Sequence, residues 1–166
     1  MRGLRLLGYL LLCFGLSTVA VAAANAATIV ALGASNTYGK GVARNQSYPA
    51  QLEAILRAKG ANVHVVNAGI NGDTTEGMLA RLDRAVPNGT SAVILQPGGN
   101  DRRKGRPDHT SDIQSRLAAR GIKVIMLENG MLHGLPHQPD GQHLTPEGYH
   151  RLAESLASQA AAAIGR

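Results

Sequence analysis

The sequence predicts an α/β protein, a parallel sheet covered by helices on both faces in a three-layer α/β/α arrangement. Four short apolar runs rich in β-branched residues alternate with four segments of helical periodicity. The chain has 166 residues, 44% hydrophobic and 17% charged, which suits one globular domain. Aromatic residues are only 3%, so the core must be built from Ala, Val, Ile and Leu.

The elements follow in order. Residues 1–26 are set aside first: Arg2 and Arg5 precede an apolar run from Leu6 to about Val21, and Ala24-Asn25-Ala26 makes an A-x-A cleavage pattern. This is the layout of a secretory signal peptide, and it places the mature domain, residues 27–166, in the periplasm or outside the cell. An uncleaved anchor is the alternative, but Gly8, Gly15, Ser17 and Thr18 interrupt the apolar run.

The strands are read at 28–32 (TIVAL), 63–67 (VHVVN), 92–96 (AVILQ) and 123–128 (KVIMLE). Continuous apolar runs of this length are what buried parallel strands show. Four strands are expected. Between the first two, Ser47 is a candidate N-cap, Leu52, Ile55 and Leu56 share a face, and Gly60 stops the helix. The next helix, TTEGMLARLDRAV, puts Met78, Leu79, Leu82 and Val86 on one face. A shorter one carries Ile113 and Leu117 inward and ends at Gly121. The last begins with Thr145 as cap, Pro146 in the first turn and Glu147 at the positive end of the dipole, and runs to about Ile164.

Several function classes are excluded. Cys13 is the only cysteine and lies in the signal segment, so no disulfide or thiol chemistry is available to the mature domain. Losing that segment lowers the formal charge from +6 to +4, because it holds two arginines and no acid. Nucleic-acid binding would want a basic stripe and stacking aromatics, and the chain has neither. The run RRKGR at 102–106 reads first as a solvated loop; its functional reading is a transient attraction to anionic head groups or a membrane surface.

In parallel α/β folds, ligands sit beyond the carboxyl ends of the strands, here the loops 33–46, 68–74, 97–110 and 129–144. The first loop, ALGASNTYGKG, has a phosphate-cradle look. Yet Gly39-Lys40 is followed by Gly41 instead of Ser or Thr, Ala34 stands where a P-loop has its first glycine, and G-x-G-x-x-G is absent. A mononucleotide site stays open only on grounds of fold class. As a nucleophile turn, the loop offers Ser35 between small neighbours. A serine hydroxyl needs a base, and the last loop supplies one in DGQH, where Asp140 is spaced to orient His143. Gly72, through its backbone N–H, and Asn100, through its amide, are candidate donors to an oxyanion.

This constellation resembles the SGNH hydrolases, the GDSL-type esterase superfamily, and within it the bacterial arylesterase, thioesterase and lysophospholipase group. ALGASNTYGKG, VVNAGINGDT, PGGND and DGQHLTPEGY match its four blocks in order. The resemblance implies a flavodoxin-like sheet and cofactor-free hydrolysis of small carboxylic esters or thioesters. It assigns Ser35 as nucleophile, His143 as base, Asp140 as orienting acid, and the Ser35 N–H, Gly72 and Asn100 as the oxyanion hole. Two departures stand out. Ala34 replaces the usual aspartate before the nucleophile, which removes a polar tie and is expected to loosen Ser35. The chain also passes almost directly from the fourth strand to Asp140, without the further helix and strand the family pattern carries, so one wall of the acyl pocket is expected to be reduced.

Two other readings stand beside this one. The first is a degenerate binding domain of the same fold. The second is a metal-binding protein using His133, His137, Asp140 and His143. Asp101 is read as structural, as is His64 in its strand, while His109 and His150 are read as solvated.

Overall fold

The computed structural model describes residues 25–165. All but the last two residues of the segment read as a signal peptide lie outside them. The sheet has four strands, all parallel: β1 (Ala27–Gly33), β2 (Val63–Gly69), β3 (Ala92–Gln96) and β4 (Lys123–Met126), in the order β2-β1-β3-β4. The apolar runs of the sequence are these strands, within two residues at each end.

The alternation along the two central strands explains both helical layers. Ile29 and Ala31 of β1 and Ala92 and Ile94 of β3 face one side. There they meet Tyr48, Leu52 and Leu56 of α2 (Tyr48–Ala58) and Leu152, Ala153 and Leu156 of α7 (Pro146–Ala163). Val30, Leu32, Val93 and Leu95 face the other side. They meet Met78 of α3 (Thr75–Ala80), Leu82 of α4 (Leu82–Ala85), and Ile113 and Leu117 of α6 (Thr110–Ala119). A strand buried on both faces cannot alternate polar with apolar, so these read as continuous hydrophobic runs. Edge strand β2 keeps His64 exposed, and its ring pairs with Glu53 of α2 at 2.8 Å.

Two short helical turns stand where loops were expected: α1 (Ser35–Tyr38) directly after β1, and α5 (Asn100–Lys104) after β3. The single helix expected over 74–86 is divided at Arg81 into α3 and α4. Met78, Leu82 and Val86 are all fully buried, so the 3.6-residue period persists across the break and cannot register it. Ser47 does occupy the N-cap of α2, but its hydroxyl donates to the Arg44 carbonyl at 2.8 Å instead of capping. Thr145 caps α7 as expected, its hydroxyl accepting from the Gly148 N–H at 3.1 Å. Among the described residues, no helix is long and apolar enough to cross a membrane.

The strand order sets the position of the site. The chain moves outward from β1 to β2, then returns to place β3 on the opposite side of β1. The crevice at that reversal opens between the carboxyl ends of β1 and β3, where open α/β sheets bind ligands. Ser35 follows β1 and Asn100 follows β3.

Candidate active site

Ser35 is the first residue of α1, two residues beyond the end of β1. At that position a backbone N–H has no acceptor within its own helix. The turn can pass this close to the sheet only because residue 33 is glycine, since a Cβ there would collide with the Thr37 hydroxyl and the Gln96 side chain.

The loss of the aspartate at position 34 does not leave the turn untied. Ala34 is 2% exposed, belongs to the apolar cluster with Val30, Leu32 and Met78, and also borders the cavity. The polar tie comes from across the sheet. Gln96, the last residue of β3, accepts from the Ala34 N–H at 3.2 Å and from the Thr37 hydroxyl at 3.0 Å. Asn36 adds a second tie, donating to the Gln142 carbonyl at 3.2 Å and accepting from the Tyr149 hydroxyl at 3.0 Å. The expected loosening of Ser35 is therefore corrected: Gln96 and Asn36 hold the turn from two directions. Replacing Gln96 with leucine would leave the buried Ala34 N–H without its acceptor, at about 1–3 kcal/mol, and the Thr37 hydroxyl with only the Tyr48 hydroxyl at 3.4 Å. A urea-unfolding comparison is expected to show Gln96→Leu less stable by about 1–3 kcal/mol, with slower ester turnover.

Asp140 and His143 come from the turn between β4 and α7. An isolated antiparallel bridge between His137 and Leu144 closes it, with the Gln138 N–H donating to the His143 carbonyl at 2.7 Å. Asp140 is then used twice. Its Oδ1 accepts the backbone N–H groups of Gln142 (2.9 Å) and His143 (3.0 Å), an Asx-type turn. Its Oδ2 lies 2.5 Å from His143 Nδ1. The hydrogen bond to the His143 side chain, followed by the two backbone donors, holds the Asp140 carboxyl well below the usual carboxylate range. An ionised carboxylate only accepts, so Nδ1 carries the imidazole proton and Nε2 presents its lone pair. That lone pair faces Ser35, with Nε2 2.9 Å from Oγ. Ser35, His143 and Asp140 thus form one hydrogen-bonded chain, with the His143 side chain 8% exposed and that of Asp140 42%.

Of the other two site residues, Asn100 shares the cavity with Ser35 and Gly72 does not. The Asn100 amide is fixed at both ends: Nδ2 donates to the Asp73 carbonyl at 2.6 Å, and Oδ1 accepts from Arg103 at 2.5 Å. Its second N–H has no partner among the described residues, and Asn100 lines the cavity. Gly72 stands one residue before Asp73, beside the cavity and outside its wall, with φ +74°, a conformation that glycine adopts without strain. Lys104 donates to its carbonyl at 2.5 Å.

Three supporting residues escaped sequence reasoning. They are Gln96, Asn36 and Arg81, whose guanidinium pairs with Asp73 at 2.8 Å and donates to the carbonyls of Ala68 (2.8 Å) and Gly33 (3.3 Å). A buried polar residue closing an apolar strand was the one visible signal for Gln96. Asp101 is structural as read, accepting from the N–H and hydroxyl of Thr75 at the start of α3, each at 3.0 Å.

The cavity above Ser35 measures about 210 Å³ and is lined mostly by polar groups, with Leu132, His133 and His137 among its lining residues. The alternative metal quartet is not assembled. Among the described residues no three His, Cys, Asp or Glu side chains are grouped to hold an ion. Both ring nitrogens of His143 are committed to Asp140 and Ser35, and His137 Nδ1 lies 2.7 Å from the Leu135 carbonyl.

Residues 31–164 match the GDSL-like Lipase/Acylhydrolase family. Esterase TesA of Pseudomonas aeruginosa is 30% identical over 170 residues, covering 99% of this chain and 79% of that protein. An arylesterase of Vibrio mimicus is 32% identical over 106 residues, covering 60% of this chain and 53% of that one. Among solved structures, a TesA crystal structure superposes with a TM-score of 0.68 at 25% identity, covering 82% of this chain and 99% of that one. AlinE4, described as an SGNH-hydrolase family esterase, gives 0.57 at 27% identity, covering 83% and 80%. The fold, its four-stranded parallel sheet and the match across nearly all of the described residues agree, and the chain belongs to the GDSL-like lipase/acylhydrolase family, the SGNH esterases.

Proposed function

We propose that this protein hydrolyses small carboxylic esters through an acyl-enzyme on Ser35, with His143 as general base and Asp140 as its orienting acid. The observation that carries the reading is the continuous hydrogen-bonded chain from Ser35 Oγ through both ring nitrogens of His143 to Asp140, opening on a cavity.

The chemistry follows from the proton positions. His143 Nε2 takes the Ser35 hydroxyl proton as Oγ bonds to the ester carbonyl carbon, and the carbonyl oxygen becomes an oxyanion. The donors available to it are the Ser35 N–H and the Asn100 amide, with Gly72 as the third that the family pattern assigns. Collapse of the intermediate breaks the bond to the alkoxy oxygen, which takes the proton from Nε2 and leaves as the alcohol. Water then attacks the acyl-enzyme. Nε2 accepts its proton and returns one to Oγ, freeing the acid. Asp140 stays ionised throughout and stabilises the imidazolium without accepting its proton.

The substrate proposed is a short-acyl or aryl ester. A small cavity with a largely polar lining suits a short acyl group better than the long chain of a lysophospholipid. A thioester would be attacked by the same groups. The signal-like segment at residues 1–26 supports periplasmic or secreted placement, and the basic run at 102–106 is compatible with transient contact with anionic lipid. No cofactor enters the mechanism.

One experiment tests the reading directly. Purified protein is expected to turn over p-nitrophenyl acetate and butyrate, and a p-nitrophenyl alkylphosphonate is expected to inactivate it with a single adduct on the Ser35 peptide by mass spectrometry. Turnover with no adduct at Ser35, or an adduct elsewhere, would overturn the assignment.

A further inference from the structure

The cavity that holds Ser35 has an unusual charge balance. Arg102 and Arg103 line it, along with the imidazoles of His133 and His137, while no aspartate or glutamate does. Of the acids in the neighbouring loops, Asp73 pairs with Arg81, Asp101 accepts from Thr75 and Asp140 stands behind His143, while Glu128 is exposed just outside the lining, next to Asn129. Cations gather readily at a helix carboxyl terminus, and α5 ends in Arg102-Arg103-Lys104, so the run has an ordinary explanation in the helix dipole. Two of the three also have structural work. Arg103 fixes the Asn100 amide, and Lys104 holds the Gly72 carbonyl. Arg102 does neither. It is exposed, lines the cavity, and has no ion-pair or side-chain hydrogen-bond partner among the described residues.

We infer that Arg102 binds an anionic group, a carboxylate or phosphate, on the ester that Ser35 attacks, so that this protein selects negatively charged short esters over neutral ones. The inference rests on the Ser35 hydrolase reading and adds a substrate class to it. Three features of the site support it. A guanidinium matches carboxylate and phosphate oxygens in paired geometry. A cleft lined by one sign of charge concentrates the opposite sign. The cavity is small and mostly polar, so it offers a substrate charge recognition in place of an extended apolar acyl pocket.

The test uses matched chromogenic esters and the whole protein. Mono-4-nitrophenyl glutarate carries a carboxylate on the acyl side, with neutral 4-nitrophenyl butyrate as its comparison. 4-Butyryloxy-3-nitrobenzoate carries one on the leaving side, with its methyl ester as comparison. The expected result is a kcat/KM ratio of charged to neutral ester of about ten or more in one of the pairs. That pair identifies which half of the substrate bears the charge. Arg102→Gln is expected to cut the ratio about tenfold through KM, and Arg102→Glu to invert it. Lys59→Gln, the same charge change on an exposed residue at the end of α2, is expected to leave it unaltered. Neutral esters turned over as well as charged ones in both pairs would overturn the inference while leaving the hydrolase reading intact. So would a preference that survives Arg102→Glu, or one in which charged and neutral esters lose rate in parallel. No turnover of any of the four esters would overturn both.

Discussion

Replacing Ser35 with alanine is expected to abolish ester turnover, lowering kcat/KM by about 10⁴–10⁶, while leaving the unfolding midpoint nearly unchanged. The size of the loss follows from the acyl-enzyme route. Without Oγ no covalent intermediate forms, and only the oxyanion donors and substrate binding remain, which together retain at most about 10³–10⁴ over water. The fold should tolerate the change because the hydroxyl's one hydrogen bond goes to His143, while the turn is held by its neighbours through Gln96 and Asn36. Steady-state kinetics on p-nitrophenyl butyrate and a thermal melt check the two halves together. Loss of activity with a large fall in Tm would point to a structural role for Ser35 instead. Turnover within tenfold of the parent protein would rule it out as the nucleophile.

Asp140→Asn is expected to lower kcat by about 10³–10⁴. The asparagine can still accept from the Gln142 and His143 N–H groups, so the turn survives. Its amide, however, can also donate to Nδ1, which favours the tautomer that carries the proton on Nε2 and leaves Ser35 facing an N–H. The parent's pH profile carries a related signature. Asp140 is held ionised by His143 and by two backbone donors. A carboxyl whose folded value is depressed contributes stability above its unfolded pKa of about 3.9 and loses it only as pH falls through the folded value. Asp140 therefore keeps its charge across the range in which an imidazole titrates. Asp140 should therefore add no proton of its own to the acid limb of kcat/KM, which should not steepen beyond unit slope. A slope of two would mean that the carboxylate and the imidazole gain protons together, contrary to this account.

The strands and the groups of the proposed triad were legible in the sequence for different reasons. β1 and β3 are buried on both faces, so nearly every residue in them is apolar and the run itself marks the strand. Asp140 and His143 were legible because their interaction is local, three residues apart in one turn, and Ser35 because it follows a strand end. The supports of Ser35 were not, since they act across distances that no periodicity encodes. Gln96 reaches a turn 62 positions earlier, and Asn36 joins Tyr149 across 113. The Ala34 substitution looked like a loss only because the amide that takes over lies on another strand. The break at Arg81 was hidden for the opposite reason. Its guanidinium is drawn to the ends of β1 and β2 while the apolar period continues undisturbed on either side.

The link from Asn36 to Gln142 and Tyr149 has a consequence for the order in which the molecule becomes competent. The turn carrying Ser35 follows the first strand, while its His143 partner and one of its two ties arrive only with the last turn and α7. A nascent chain that has already folded β1 to β3 holds Ser35 at the sheet by Gln96 alone, with no base to take its proton. The site is therefore completed last: until α7 docks, the turn that carries Ser35 lacks the His143 partner that the proposed mechanism requires.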